Sequence, residues 1–220
     1  MRKWFFLILL VSVIQSSLAQ VHKLNGSRIY KLEGYIFPVK DTIKGYIAIP
    51  IRKGEVNYGS LANKVTFIDS LGNATTIYPG DIAAFGFKGE DVSGDYLSFK
   101  RPGFQGGKVF VKKLAGGDAV LVVDIVVKVY GGHGYASGPA GFNTASSTST
   151  TQTFYYLKIG NGSFENLPGN ENRPFSKNDL KKYLVDLPES FADSKDEIDI
   201  SEVINIVSNY KIITPGNTGK

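Results

Sequence analysis

The sequence predicts a mainly β chain: an antiparallel sandwich or small barrel-like core with two short C-terminal helices, a β-dominated α+β fold. Three observations predict it. Residues 28–130 hold short runs rich in β-branched and aromatic residues, separated by Gly, Pro, Asp and Asn. Two stretches near the C-terminus switch to apolar spacings of three and four residues. The chain has no cysteine in 220 residues, so its core must come from burial alone, and a chain of this length can bury enough.

The first element is a leader. Arg2 and Lys3 precede the apolar run Trp4–Ile14, and Ser17-Leu18-Ala19 supplies the small residues read by signal peptidase. Cleavage is expected between Ala19 and Gln20. The apolar run is shorter than the roughly 20 residues of a spanning helix. The expected mature chain is therefore secreted, to the periplasm, the outer-membrane surface or the exterior, without a transmembrane segment. Cleavage removes two of 25 basic residues and none of 20 acidic ones, so the formal charge falls from +5 to +3. A scattered charge of that size excludes an electrostatic nucleic-acid footprint.

Residues 20–170 are expected to form the β-rich domain. Arg28–Pro38 and Thr42–Ile49 read as a hairpin turning at Pro38-Val39-Lys40-Asp41. Lys64–Ile68 and Thr75–Tyr78 flank a turn at Asp69–Asn73. Asp95–Lys100 and Lys108–Leu114 follow, and Ala115-Gly-Gly-Asp118 reads as a tight hairpin. Ala119–Tyr130 is the longest strand candidate, and its nearly continuous apolar run predicts burial on both faces despite Asp124. A flexible Gly/Ser/Thr loop is expected over residues 131–152. Thr153–Ile159 resumes the β pattern, and Asn161-Gly162 signals another hairpin.

Residues 171–212 are expected to be helical, with a disordered tail at 213–220. Ser176 is a cap candidate, and Leu180, Tyr183, Leu184 and Leu187 share one helical face. Val203, Ile204, Val207 and Tyr210 give a second helix its apolar face. The acids of Asp193–Glu202 lack the central glycine of a calcium loop and suit the approach to a helix N-terminus.

The motifs "GYIFPVKDTIKGYIAIP", "VTFIDSLGNATTIYPGDIAAFGF", "KVFVKKLAGGDAVL", "FYYLK", "LKKYLVDLP" and "VINIVSNY" occur in that order. In this the chain resembles a family of secreted proteins of Bacteroidetes-type bacteria whose biochemical role is not established. The likeness covers roughly residues 32–210. It departs at Lys40, where the family usually has Gly, and at Lys211. The resemblance implies export but no active site. It also implies that Asp41-Thr42-Ile43 and Asp69-Ser70-Leu71 look like O-glycan acceptors, with Thr42 and Ser70 carrying the sugar.

Chemistry is otherwise sparse. No Cys is present, and His22 and His133 are the only histidines. One usable His cannot fill a triad or a three-ligand zinc centre. The glycines around His133 lack the helix start that a phosphate cradle needs. No catalytic residue, cofactor or metal is assigned. His133, Tyr135 and Phe142 are the candidate loop contacts. The expected function is a secreted or cell-envelope module, non-enzymatic, that binds an envelope protein or glycan or supports a surface assembly. Two alternatives stay open: a carbohydrate- or peptide-binding module using exposed aromatics such as those of Phe154-Tyr155-Tyr156, and a carboxylate-dependent hydrolase.

Overall fold

Glycine, proline and Asx turns divide the chain into fourteen strands and three short helices among the described residues. A computed structural model describes residues 21–24, 27–38, 40–52, 55–90, 92–103, 105–132, 146–170, 172–184 and 196–212. The expected leader with Ala19 and Gln20, residues 213–220, and His133, Tyr135 and Phe142 lie outside the described residues.

The strands are β1 Val21–Leu24, β2 Ser27–Phe37, β3 Ile43–Arg52, β4 Glu55–Val56, β5 Val65–Ile68, β6 Ala74–Ile77, β7 Ala84–Lys88, β8 Ser93–Phe99, β9 Val109–Ala115, β10 Ala119–Gly132, β11 Ser146–Ile159, β12 Glu165–Leu167, β13 Phe175–Ser176 and β14 Glu197–Ile198. The helices are α1 Tyr58–Asn63, α2 Lys177–Tyr183 and α3 Ile200–Asn209. Ten strands form one antiparallel path in the order β12-β11-β10-β9-β8-β7-β2-β3-β5-β6. β1 and β4 pair off this path, and β13 and β14 make a separate two-stranded sheet. The expected β core with two C-terminal helices is present. The core is one continuous sheet, and α1 is a further helix capped by the Asn57 side chain.

Directly paired residues of antiparallel strands share a face. One register row therefore crosses eight strands: Ile43, Ile36, Phe85, Tyr96, Lys112, Val123, Tyr155 and Leu167. All three helices lie on the face this row defines. α1 packs beside Tyr96, with the Lys112 ammonium 5.5 Å from the Tyr58 ring centre. α2 and α3 bury Leu180, Val203 and Val207 against Leu121, Val123, Tyr155 and Leu167. Near α1 the same face buries Ile47, Phe67, Phe85 and Phe110, with Phe85 stacked on Tyr96.

The sheet is curled. Helix α1 touches β3, β9 and β10 at once. On a flat sheet β3 and β10 would lie five strand spacings, about 24 Å, apart. A six-residue helix is only about 9 Å long. The strands must wrap toward α1 for it to reach both.

β10 is buried on both faces over its first half, with Leu121, Val122, Val123 and Asp124 all buried, but the two-sided burial expected over Ala119–Tyr130 stops short of Val127, which is exposed. The expected loop at 131–152 is corrected at both of its ends. Gly131 and Gly132 extend β10, and Ser146–Gln152 belong to β11, with Gly131 opposite Ser147 and Val126 opposite Gln152. Ser and Thr are acceptable strand residues, and inter-strand pairing outweighs the loop-like composition here. Residues 133–145 lie outside the described residues. His22 is also in a strand, its backbone opposite Ile29.

The C-terminal segment carries both helices and the β13–β14 pair. Ser176 caps α2 through Asn178, and Asp199 caps α3 through Glu202. The Asp199 carboxyl also accepts from the Ser201 hydroxyl, which with the Glu202 amide holds it below the usual carboxylate range. This acid thus serves the helix start.

Candidate functional site

One residue along each strand from the apolar row runs its counterpart on the other face: Lys44, Tyr35, Gly86, Asp95, Lys113, Val122, Tyr156 and Asn166. None of the three helices covers this face. Its character changes along the row. From β3 to β9 it is polar; at β10 and β11 it is apolar.

The polar part is built around Gly86. A side chain there would collide with the Tyr35 ring, only 2.5 Å from where its Cβ would stand. Glycine lets that ring cross β7 and donate its hydroxyl to Asp95 Oδ1 on β8, at 2.9 Å. Partial burial, then the hydrogen bond to Asp95, then the Asp95 charge push the Tyr35 phenol up to about 12. It stays protonated at neutral pH, a donor and not a base. The next row adds Glu33, Lys88 and Ser93, which are paired in register. Together with Thr42 these side chains line an open cleft of about 830 Å³, within the size range of ligand pockets. Lys44, Lys88 and Lys113 bring three ammonium groups to it, and Glu33 and Asp95 bring two carboxylates.

The apolar part is covered by loops. Phe99, Val109, Val111, Val122 and Tyr156 are buried there, with Phe154 and Phe164 packed beside them. Phe99 lies 4.8 Å from Tyr156 and 5.2 Å from Phe164, ring centre to ring centre. Asp124 sits on this face with its side chain fully buried. Arg101, from the β8–β9 connection, grips it with two hydrogen bonds, one from Nε and one from Nη2 at 3.0 Å. That bond to Asp124 raises the Arg101 guanidinium further above its normal range. Burial chiefly, and the Asp124 charge next, raise the Tyr156 phenol.

Of the residues singled out in the sequence, Thr42 and Ser70 are both exposed, and Thr42 borders the Gly86 cleft. Ser70 stands in the turn that Asp69 organises by accepting from the Leu71 and Asn73 amides, next to a Leu71 that is 85% exposed. Phe154-Tyr155-Tyr156 forms no exposed stacking surface. Tyr155 packs on Phe175 across the helix face, and Tyr156 packs on Phe99 across the other. Sequence reasoning missed the Lys44–Tyr35–Asp95–Lys113 row, because Tyr35 and Asp95 are 60 residues apart. One signal was legible: Gly86 between Phe85 and Phe87, an interior strand glycine that marks close approach by another group. Among the described residues no group of three or more His, Cys, Asp or Glu is placed to hold a metal ion.

Comparison with protein-family models, with curated proteins and with solved structures finds no match to this chain.

Proposed function

We propose that the protein is exported to the cell envelope and works there as a non-enzymatic binding module, with the cleft over Gly86 as its ligand site. The leader sequence and the resemblance to secreted proteins support export. The single observation that carries the site is the register row Lys44–Tyr35–Gly86–Asp95–Lys113. It alternates ammonium donors, a phenol and a carboxylate acceptor on a rigid sheet, and rigid elements hold such groups more precisely than loops. A ligand rich in hydroxyl or amide groups, a glycan or a peptide, matches that alternation. Fixed polar groups of this kind orient a ligand and give specificity.

The test is a glycan and peptide array probed with the mature chain and with Lys44→Glu. Ligands bound by the parent protein and lost on Lys44→Glu support the reading. Ligands retained at equal strength by Lys44→Glu exclude this cleft.

A second reading, hydrolysis by carboxylates alone, is favoured by the presence of Glu33 and Asp95 in one cleft. Turnover of an oligosaccharide that survives both Glu33→Gln and Asp95→Asn would remove it.

A further inference from the structure

The helix-free face holds a second cleft, of about 820 Å³, which shares no lining residue with the cleft over Gly86. One wall is the β8–β9 connection with Lys100, Arg101 and Gln105; the other is the β11–β12 turn with Ser163 and Phe164, and Lys158 and Phe99 lie between. We infer that this cleft is a second binding site, for an acidic saccharide whose sugar rings carry carboxylates.

On this face the strand neighbours of Asp124 are apolar, and its position between Val122 and Val126 would accept another aliphatic residue. Burying a carboxylate is costly, and a buried ion pair is often no more stable than an apolar replacement. What the pair achieves is placement. Gripping Asp124 at two nitrogens fixes the Arg101 guanidinium and brings the β8–β9 connection down as a wall. The Arg101 charge is matched by Asp124 below it. Lys100 and Lys158 have no such match, since no carboxylate lines the cleft among the described residues. The Lys158 ammonium lies 5.4 Å from the centre of the Phe164 ring, which pairs a cation with an apolar surface. An anion with an apolar ring face fits both, and Gln105 and Ser163 can hydrogen-bond its hydroxyls.

An acidic peptide fits less well. Extended peptides bind by adding a strand to a free sheet edge. Here β12 takes the β11 edge beside the turn, pairing with residues 155–157, and as the terminal strand it offers an edge only three residues long.

Titration calorimetry on the full mature chain tests this, with oligogalacturonate and hyaluronan fragments as acidic probes, a malto-oligosaccharide as the neutral one and oligoglutamate as the peptide. The expected result is saturable binding of an acidic saccharide that weakens about tenfold or more in Lys100→Glu/Lys158→Glu, weakens with added salt, and is unchanged in Lys44→Glu. The parent melting temperature, retained by the double variant, shows that the loss is not unfolding. Equal binding of the neutral saccharide, equal or stronger binding of oligoglutamate, binding that is lost with Lys44→Glu instead, or no binding of either acidic saccharide overturns the inference.

Discussion

Ile36 and Tyr35, Phe85 and Gly86, Tyr96 and Asp95 are neighbours in sequence, yet they stand on opposite faces of one sheet. The first of each pair lies in a row that is apolar across all but one of eight strands and is covered by all three helices. The second lies in a row that is polar over β3–β9 and apolar only where the β8–β9 and β11–β12 connections cover it. The two faces bury their apolar surface by different means. On the helix face the sheet curls and helices close it. On the other face two loops do the covering, and one of them is anchored by a single buried ion pair.

Substitutions that cross this divide should separate the two mechanisms. The largest effects belong to the helix face. Phe85→Ala and Phe175→Ala should each cost about 3–5 kcal/mol in urea unfolding. Both should shift one common transition if the face is a single cooperative core; a biphasic curve for either would split it at β9.

Arg101→Ala should cost about 3–5 kcal/mol, because it strands a fully buried carboxylate. Replacing the pair together, Arg101→Met with Asp124→Leu, should recover most of that loss while opening the second cleft. A double variant as unstable as the single one would show that the pair is there for stability.

Gly86→Ala should cost about 1–3 kcal/mol as an overpacked site and expel Tyr35 from its place over β7. The readout is the Tyr35 phenol falling back from about 12 toward its ordinary range in an absorbance titration, while the deeply buried Tyr96 keeps its higher one. Alanine in place of Gly80, where nothing stands within 4 Å, is the control.

Tyr35→Phe is the smallest change, about 0.5–1.5 kcal/mol for one hydrogen bond at a partly exposed site. Its pH dependence is the sharper measure. A phenol raised from 10.0 to about 12 in the folded state contributes stability that is complete below pH 10 and lost as the pH rises toward 12. The fall in parent stability across that window should be shallower in Tyr35→Phe; identical slopes would place the phenol in water.

Much of this was open to inspection before folding. The strand runs, the turn at Asp69–Asn73, the cap at Ser176 and the two-sided burial of Leu121–Asp124 within the longest apolar run all follow from local chemistry, and the structure contains each of them. The misjudged stretch, Ser146–Gln152, shows the limit of composition. Its Ser and Thr residues look like loop until a partner strand arrives to pair with them.

Residue type and near neighbours were enough to say which residues could form strands, where the chain must turn, that no disulfide would help, and that histidine chemistry would be thin. Only the tertiary structure decided that Tyr35 would meet Asp95 across Gly86, that Arg101 would reach Asp124, and that the three helices would share one face. Pairing register among ten strands sets those meetings, and a one-residue shift in any pair would send every side chain of that strand to the other face.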